Sequence, residues 1–389
     1  MATRDLLIEV GTEELPPKSL SSLSIAFESL IVAALAAANL SHGSTQRFAT
    51  PRRLAVLVQQ VAENQSSKEL FKVGPAVSAA YDPGGKATPA ALGFAKSCGV
   101  DLEKLTTTTK NGIEKLAYQT TERGRKASAL IPEIIASALK KLPTPKRMRW
   151  GSSKEEFIRP LHWILLLFGQ EQLKLKVLGI SSKNQTRGHR FHNNIQILIN
   201  QPSQYENALS EIGLVIPDFE KRKEIIRAQV VEQGKLANAV TIVDELLLEE
   251  VTSLVEYPTA VTGEFDPGFL EVPSDALILA MKTHQKCFHM TDKNGQLISK
   301  FVAVSNIRSK DPSQVIKGNE RVIRPRMADA KFFFETDKQA ALETRLEKLK
   351  NLIFQNKLGS VYDKVVRVAK ISTSIARKLS ADEAHCERA

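Results

Sequence analysis

A multidomain α+β fold, with mixed, mainly antiparallel sheets and packed helices followed by a helical C-terminal portion, is predicted from three observations. Strand-like and helix-like runs are interspersed without the regular alternation that a parallel α/β sheet requires. From Pro312 onward the pattern is almost wholly helical. The chain has 389 residues, enough for roughly two to four domains at about 100–200 residues each.

The first element is a short apolar run, Leu6 to Val10, expected as a buried strand. Gly11-Thr-Glu-Glu-Leu-Pro-Pro17 turns the chain into a helix, where Leu20, Leu23, Phe27, Leu30, Ile31 and Leu35 recur at helical spacing. Phe48 to Val61 reads as a strand entered through Thr50-Pro-Arg-Arg53, and residues 62–88 read as loop. A short helix follows with Thr88 as N-cap, Pro89 at its first position and Gly99 as its stop. Residues 128–141 form an amphipathic helix ended by Pro143 and Pro145, and Phe157–Phe168 and Gln172–Ile180 read as strands. Residues 204–213, 218–237 (capped by Asp218) and 245–255 are expected to be helical. Ser274 caps a helix to about His284, and Asp292-Lys-Asn-Gly295 joins two strands as a hairpin turn. These runs group into segments 1–62, 63–145, 146–200, 201–310 and 311–389. The third is a basic β-rich piece expected to pack with the first.

Composition sets limits on the class of protein. Hydrophobic residues make up 42% and charged residues 25%, the balance of a globular chain that buries a core without disulfide staples. Cys98, Cys287 and Cys386 are too few and too scattered for a disulfide framework and read as reduced thiols. The N-terminus carries no signal or transit pattern, and apolar runs such as Ile164–Phe168 are far too short to span a bilayer. A cytoplasmic protein with no membrane partner is expected.

The net charge is +11, which favours a polyanionic partner. Between Lys140 and Arg190 there are twelve Lys/Arg and three Asp/Glu, so this window holds +9 of the total. A phosphate-backbone footprint and a merely solvated basic surface both fit that count.

Sites of chemistry are absent from the pattern. Gly84-Gly85-Lys86-Ala87-Thr88 fails as a phosphate loop, because Ala87 stands where the metal-binding Ser/Thr belongs and Ala80 where the first Gly belongs. His189/His192 and His284/Cys287/His289 lack a second pair at zinc spacing, so no metal is expected. Glu13-Glu14 reads as negative charge near a helix N-terminus rather than as an acid/base pair. The basic motifs differ: Thr50-Pro-Arg-Arg53, Lys146-Arg-Met-Arg-Trp150, Arg159-Pro-Leu-His-Trp163 and Arg187-Gly-His-Arg-Phe-His192 set cations beside rings. Guanidinium groups pair with phosphates and rings stack on exposed bases. Equally, Trp150 and Trp163 fit as core residues ringed by paired arginines. Arg321-Val-Ile-Arg-Pro-Arg326 adds a second positive cluster.

Taken in order, these segments resemble the beta subunit of bacterial-type, heterotetrameric glycyl-tRNA synthetase. The resemblance is carried by Leu7-Ile-Glu-Val-Gly-Thr-Glu-Glu-Leu-Pro16, Thr50-Pro-Arg-Arg-Leu-Ala-Val56, Gly74-Pro75, Thr88-Pro-Ala-Ala-Leu-Gly-Phe-Ala95 and Met148-Arg-Trp150. It continues through Phe157-Ile-Arg-Pro-Leu-His-Trp-Ile164, Thr186-Arg-Gly-His-Arg-Phe-His192, Leu254-Val-Glu-Tyr-Pro258, Phe269-Leu-Glu-Val-Pro273 and Gln285-Lys-Cys-Phe288. Val304-Ser-Asn-Ile307, Gly318-Asn-Glu320, Asp329-Ala-Lys-Phe-Phe333 and Leu358-Gly-Ser-Val-Tyr-Asp-Lys-Val-Val-Arg367 complete it. At Cys287 the family usually has an aromatic residue. The resemblance implies that 311–389 enters an HD-like helical domain, and that the chain is the front part of a longer subunit. It further implies a noncatalytic, tRNA-binding role beside an alpha subunit that holds the active site and uses ATP and Mg2+ to join glycine to tRNA(Gly). This chain then binds no cofactor itself and is inactive alone. The expected tRNA contacts are Arg52, Arg53, Arg147, Arg149, Arg159, Arg187, His189, Arg190, Lys282 and Lys286.

Overall fold

The computed structural model describes residues 2–389 except 67, 83, 123 and 145. The fold is α+β with mostly antiparallel sheets, as expected, and it divides into two compact units. The first comprises Met1–Ala237, Val243–Val261 and Ala303–Pro312; the second comprises Asn238–Ile242, Thr262–Val302 and Ser313–Ala389.

The first unit is organised by β1 (Thr3–Thr12), α1 (Pro17–Ala37), β2 (Thr45–Thr50), β3 (Arg53–Ala62), α2 (Ala127–Lys141), β4 (Leu161–Phe168) and β5 (Glu171–Gln172). The strands form one antiparallel sheet in the order β5-β4-β1-β3-β2. Side chains alternate across a strand, so Leu6, Ile8 and Val10 face the helices while Leu7 and Glu9 face the other way. On the helical side, Leu20, Phe27 and Ile31 of α1 and Ile131 and Ile135 of α2 pack on Val56, Val58, Ile164 and Leu166. On the opposite side, Leu7, Leu57, Leu165 and Leu167 pack with Ile197, Ile199, Tyr205 and Leu209. A sheet covered on both faces explains why β1 and β4 read as continuous apolar runs.

Several expectations are corrected here. The Phe48–Val61 run is two strands, β2 and β3, because Pro51 has no amide hydrogen for the ladder and Pro51-Arg52 turns instead. Pro160 likewise holds the true strand back to Leu161, and Gln172–Ile180 breaks into two-residue pairings. Residues 62–88 are not mainly loop. Lys68–Ala76 pairs with Ile113–Glu122, which in turn pairs with Thr106–Lys110. Polar threonines and lysines at these positions hide the strand pattern from a reading based on apolar alternation. Thr88 does precede the helix Pro89–Cys98, but its hydroxyl donates to the Ala79 and Ala80 carbonyls rather than capping. Gly99 ends that helix at φ 69°, the left-handed geometry that favours glycine there. Pro145, expected to help stop α2, lies outside the described residues.

Helix α1 is 21 residues long and apolar enough to cross a membrane by length and composition, which corrects the expectation that every apolar run is too short. Its stripe Leu20, Leu23, Phe27, Ile31 and Leu35 is buried on the sheet. Serines 19, 21 and 22 interrupt the rest.

In the second unit, Phe288–Thr291 and Leu297–Ser305 form the expected hairpin. The Asp292 carboxylate accepts from the amides of Asn294 and Gln296, and Gly295 has φ 81°. Helix Pro312–Lys338 buries Ile323 and Met327. Helix Val361–Lys378 starts at a capping box in which Ser360 and Asp363 satisfy each other's amides.

Candidate nucleic-acid interface

One rung of the first unit's sheet runs Trp163, Gly11, Arg53, Thr50, each residue paired with the next across four adjacent strands. Gly11 has no side chain, so the indole of Trp163 lies across it: a Cβ added to Gly11 would fall 1.9 Å from a ring atom. Trp163 is 7% exposed, and the guanidinium carbons of Arg52, Arg53 and Arg187 stand 5.8, 5.7 and 5.5 Å from its ring centroid, within cation–π range. Of the two readings of Trp163, the structure selects the core one.

Arg53 is wholly buried. Its Nε donates to Thr50 Oγ1 at 3.1 Å and to Glu256 Oε1 at 3.3 Å. Its Nη1 donates to Glu9 Oε1 at 3.2 Å and Thr186 Oγ1 at 3.3 Å, and its Nη2 to the Arg187 carbonyl at 3.0 Å. Thr50 and Thr186 in turn donate hydrogen bonds from their hydroxyls to Glu256 and Glu9. Two carboxylates therefore share one guanidinium. Burial pushes Glu9 up toward its neutral form, more than Arg53 and Thr186 pull it down. At Glu256 burial acts the same way, but Arg53 and Thr50 outweigh it and hold the carboxylate charged. Arg53 is kept charged by both acids against its own burial. Glu9 Oε2, Trp163 Nε1 and Tyr205 Oη complete the knot as buried polar atoms with no hydrogen-bond partner among the described residues.

The Arg187–His192 loop is clasped by a second set of bonds. His189 is buried; its Nδ1 accepts from the amides of Phe191 and His192, which assigns the proton to Nε2. Nε2 then donates to Asn306 Oδ1 at 3.2 Å, an oxygen that also accepts from the Glu256 and Tyr257 amides. His192 Nε2 accepts from the Arg308 amide at 2.9 Å. Burial, His189 and Arg308 lower its pKa.

At the rim, Arg190 donates to Glu13 at 2.7 Å and meets Glu14 at 3.1 Å, while His162 bonds Glu13 at 2.9 Å. Glu13-Glu14 thus serves this clasp rather than the first turn of α1, which holds no acid. Burial alone raises Glu13, but the bonds from Arg190 and His162 prevail and bring it from 4.5 to about 2. A carboxylate depressed on folding contributes stability that is complete above its unfolded value and disappears as pH falls through the folded one. The stability deficit of Glu13→Gln relative to the parent is therefore expected at pH 6 and should shrink to nothing between about pH 4.5 and 2. A deficit that stays constant to pH 2 in acid unfolding curves rules out the charge as its source.

The expected contact residues are thus sorted. Arg53 and His189 are buried and Arg52 is 9% exposed, which corrects their placement on an exposed surface: Glu9 and Glu256 hold Arg53, the Trp163 ring covers Arg52, and Asn306 and two loop amides hold His189. Burial and Arg190 lower the Arg52 pKa. Arg159 is half-buried and donates to the Glu14 carbonyl. Arg187 and Arg190 are half-buried at the rim. Arg147 is exposed but donates to the Lys140 and Leu142 carbonyls at the end of α2, and Arg149 pairs with Glu156. In the second unit, Lys286 donates to the Thr283 carbonyl, and Lys282 also interacts within the chain.

A motif reading that prized arginines beside rings missed the plain lysines between them. Of the twelve cations in the Lys140–Arg190 window, nine are exposed and none is fully buried. Lys140, Lys141, Lys146, Lys154, Lys174, Lys176 and Lys183 have no ion-pair partner among the described residues. Phe191, beside Arg190, is 74% exposed. The signal for the lysines was the excess of charge in the window, twelve Lys/Arg against three Asp/Glu. No cluster of three His, Cys, Asp or Glu able to hold a metal occurs among the described residues.

Residues 6–389 match the glycyl-tRNA synthetase beta subunit family. The chain is 47% identical over its whole length to the glycine–tRNA ligase beta subunit of Marinobacter nauticus. It is 48% identical to that of Psychromonas ingrahamii and 46% identical to that of Coxiella burnetii, again over its whole length. In each case it spans 56% of the relative's length. On a profile match to nearly every residue and identities of this size, the chain belongs to the glycyl-tRNA synthetase beta subunit family.

Proposed function

We propose that this chain has the tRNA-handling, noncatalytic role of a glycine–tRNA ligase beta subunit, working in the cytoplasm. A separate alpha subunit holds the active site and uses ATP and Mg2+ to attach glycine to tRNA(Gly). The observation that carries the reading is the set of seven exposed lysines, without ion-pair partners among the described residues, within one sequence window of a family member. Unpaired exposed cations can turn toward phosphate without breaking an ion pair, whereas Arg53 would have to leave the core and its bonds to Glu9 and Glu256. Exposed Phe191 adds a ring of the kind on which unpaired bases stack.

Salt dependence of tRNA binding tests this. Replacing Lys140, Lys141, Lys146 and Lys154 by alanine is expected to flatten the slope of log K against log salt by about 0.9 for each lysine that meets a phosphate, leaving the fold intact. An unchanged slope removes these lysines from the interface. The internal pairing of Arg52, Arg53, His189 and Arg190 favours a second, structural reading for that part of the unit, in which the surface faces the alpha partner. Tight alpha binding with salt-independent or undetectable tRNA binding selects it. Glycyl-adenylate formation by this chain without alpha overturns the noncatalytic assignment.

A further inference from the structure

A cleft of about 260 Å3 opens in the first unit beside the Trp163 rung. Trp163, Ile164 and Ile180 give it an apolar wall, and Lys183, Arg187, Gln185 and Gln196 supply two cations and two amides. The Arg187 guanidinium is backed by the Trp163 ring at 5.5 Å. Its N–H groups, the Lys183 amine and both amides have no side-chain hydrogen bond among the described residues.

Each part of that set selects the ligand. Pockets that enclose drug-sized molecules run to about 300–1,000 Å3, so this cleft has room for one base, with the attached sugar and phosphate at its mouth. A bare anion has no use for the apolar wall, and an apolar ligand has none for two unpaired cations. Amide side chains carry both a donor and an acceptor and can read the edge of a base. A guanidinium plane held on a tryptophan is a platform on which a base stacks.

We propose that this cleft takes a single unpaired nucleotide of an RNA strand. The base lies against Arg187 and the apolar wall, Gln185 and Gln196 meet its edge, and Lys183 meets the phosphate. The proposal rests on the RNA-binding reading above and names a site for it. Duplex RNA is excluded, because a base in a stack cannot enter.

The chain has two tryptophans, so Trp150→Phe leaves Trp163 as the only indole. Titration of that variant with 5′-AMP, 5′-CMP, 5′-GMP or 5′-UMP is expected to change Trp163 emission saturably. Lys183→Ala should weaken binding about tenfold and Lys183→Arg should restore most of it; Gln196→Ala should alter the order of preference among the four nucleotides. Lys183 and Gln196 are exposed, so these variants keep the fold. Emission that never saturates, an unchanged affinity in Lys183→Ala, or inorganic phosphate competing as well as a nucleotide overturns the proposal. Salt-dependent tRNA binding without a nucleotide response sinks the cleft and leaves the tRNA reading standing. A nucleotide response without tRNA binding does the reverse.

Discussion

Replacing Arg53 by alanine is expected to destabilise the first unit by about 3–5 kcal/mol, the cost of removing one partner from a buried ion pair. Arg53 is the only cation donating to both Glu9 and Glu256 among the described bonds, and both acids are at most 1% exposed. Alanine leaves two buried carboxyl groups without the guanidinium they share, with the Thr50 and Thr186 hydroxyls still donating to them. Typical domains have only about 5–15 kcal/mol in total, so a large share is lost. Urea unfolding followed by circular dichroism measures it. A loss under 1 kcal/mol shows that the knot does not hold the fold. Arg53→Met combined with Glu9→Gln and Glu256→Gln should recover much of the loss, since neutral, well-packed replacements of buried ions are often tolerated. The affinity of the remaining folded Arg53→Ala protein for tRNA should not change, because the residue faces no solvent.

Gly11→Ala is the second large effect. Its Cβ would sit 1.9, 2.0 and 2.3 Å from three atoms of the Trp163 ring, inside any contact distance. The ring is 7% exposed and flanked by three guanidiniums, so it cannot shift without disturbing them. Overpacking usually costs about 1–3 kcal/mol and occasionally more; here about 3 kcal/mol is expected, with a shift in Trp163 emission. Gly11→Ala with Trp163→Leu should be less destabilised than the sum of the two single changes, by a coupling within the roughly 0.5–3 kcal/mol seen for touching residues. Strict additivity shows that the clash is relieved elsewhere.

The fold was legible where apolar periodicity carried it: Leu6–Val10, the stripe on α1, and the Asp292–Gly295 hairpin. It was illegible where pairing came from a distant partner. Lys68–Ala76 and Thr106–Lys110 become strands because each lies beside Ile113–Glu122, and nothing local announces that. Among the site residues, Arg52 and Arg53 were expected to face tRNA, and the structure buries them. A cation beside a ring in sequence does not reveal whether carboxylates wait inside. Glu9 and Glu256 lie 44 and 203 positions from Arg53, and only the assembled sheet shows that they converge on it. The exposed lysines were legible as net charge and invisible as motifs.

That long reach has a consequence for how the polypeptide matures on the ribosome. Synthesis proceeds from the N-terminus at about 5–20 residues per second, so roughly 10–40 s pass between the making of Arg53 and of Glu256. Throughout that interval β1, β2 and β3 can pair, but the guanidinium they enclose has only one of its two carboxyl partners, Glu9, beside it. Sealing of the knot waits for a segment made two hundred residues later, which makes closure of the N-terminal sheet a late event in the birth of the chain.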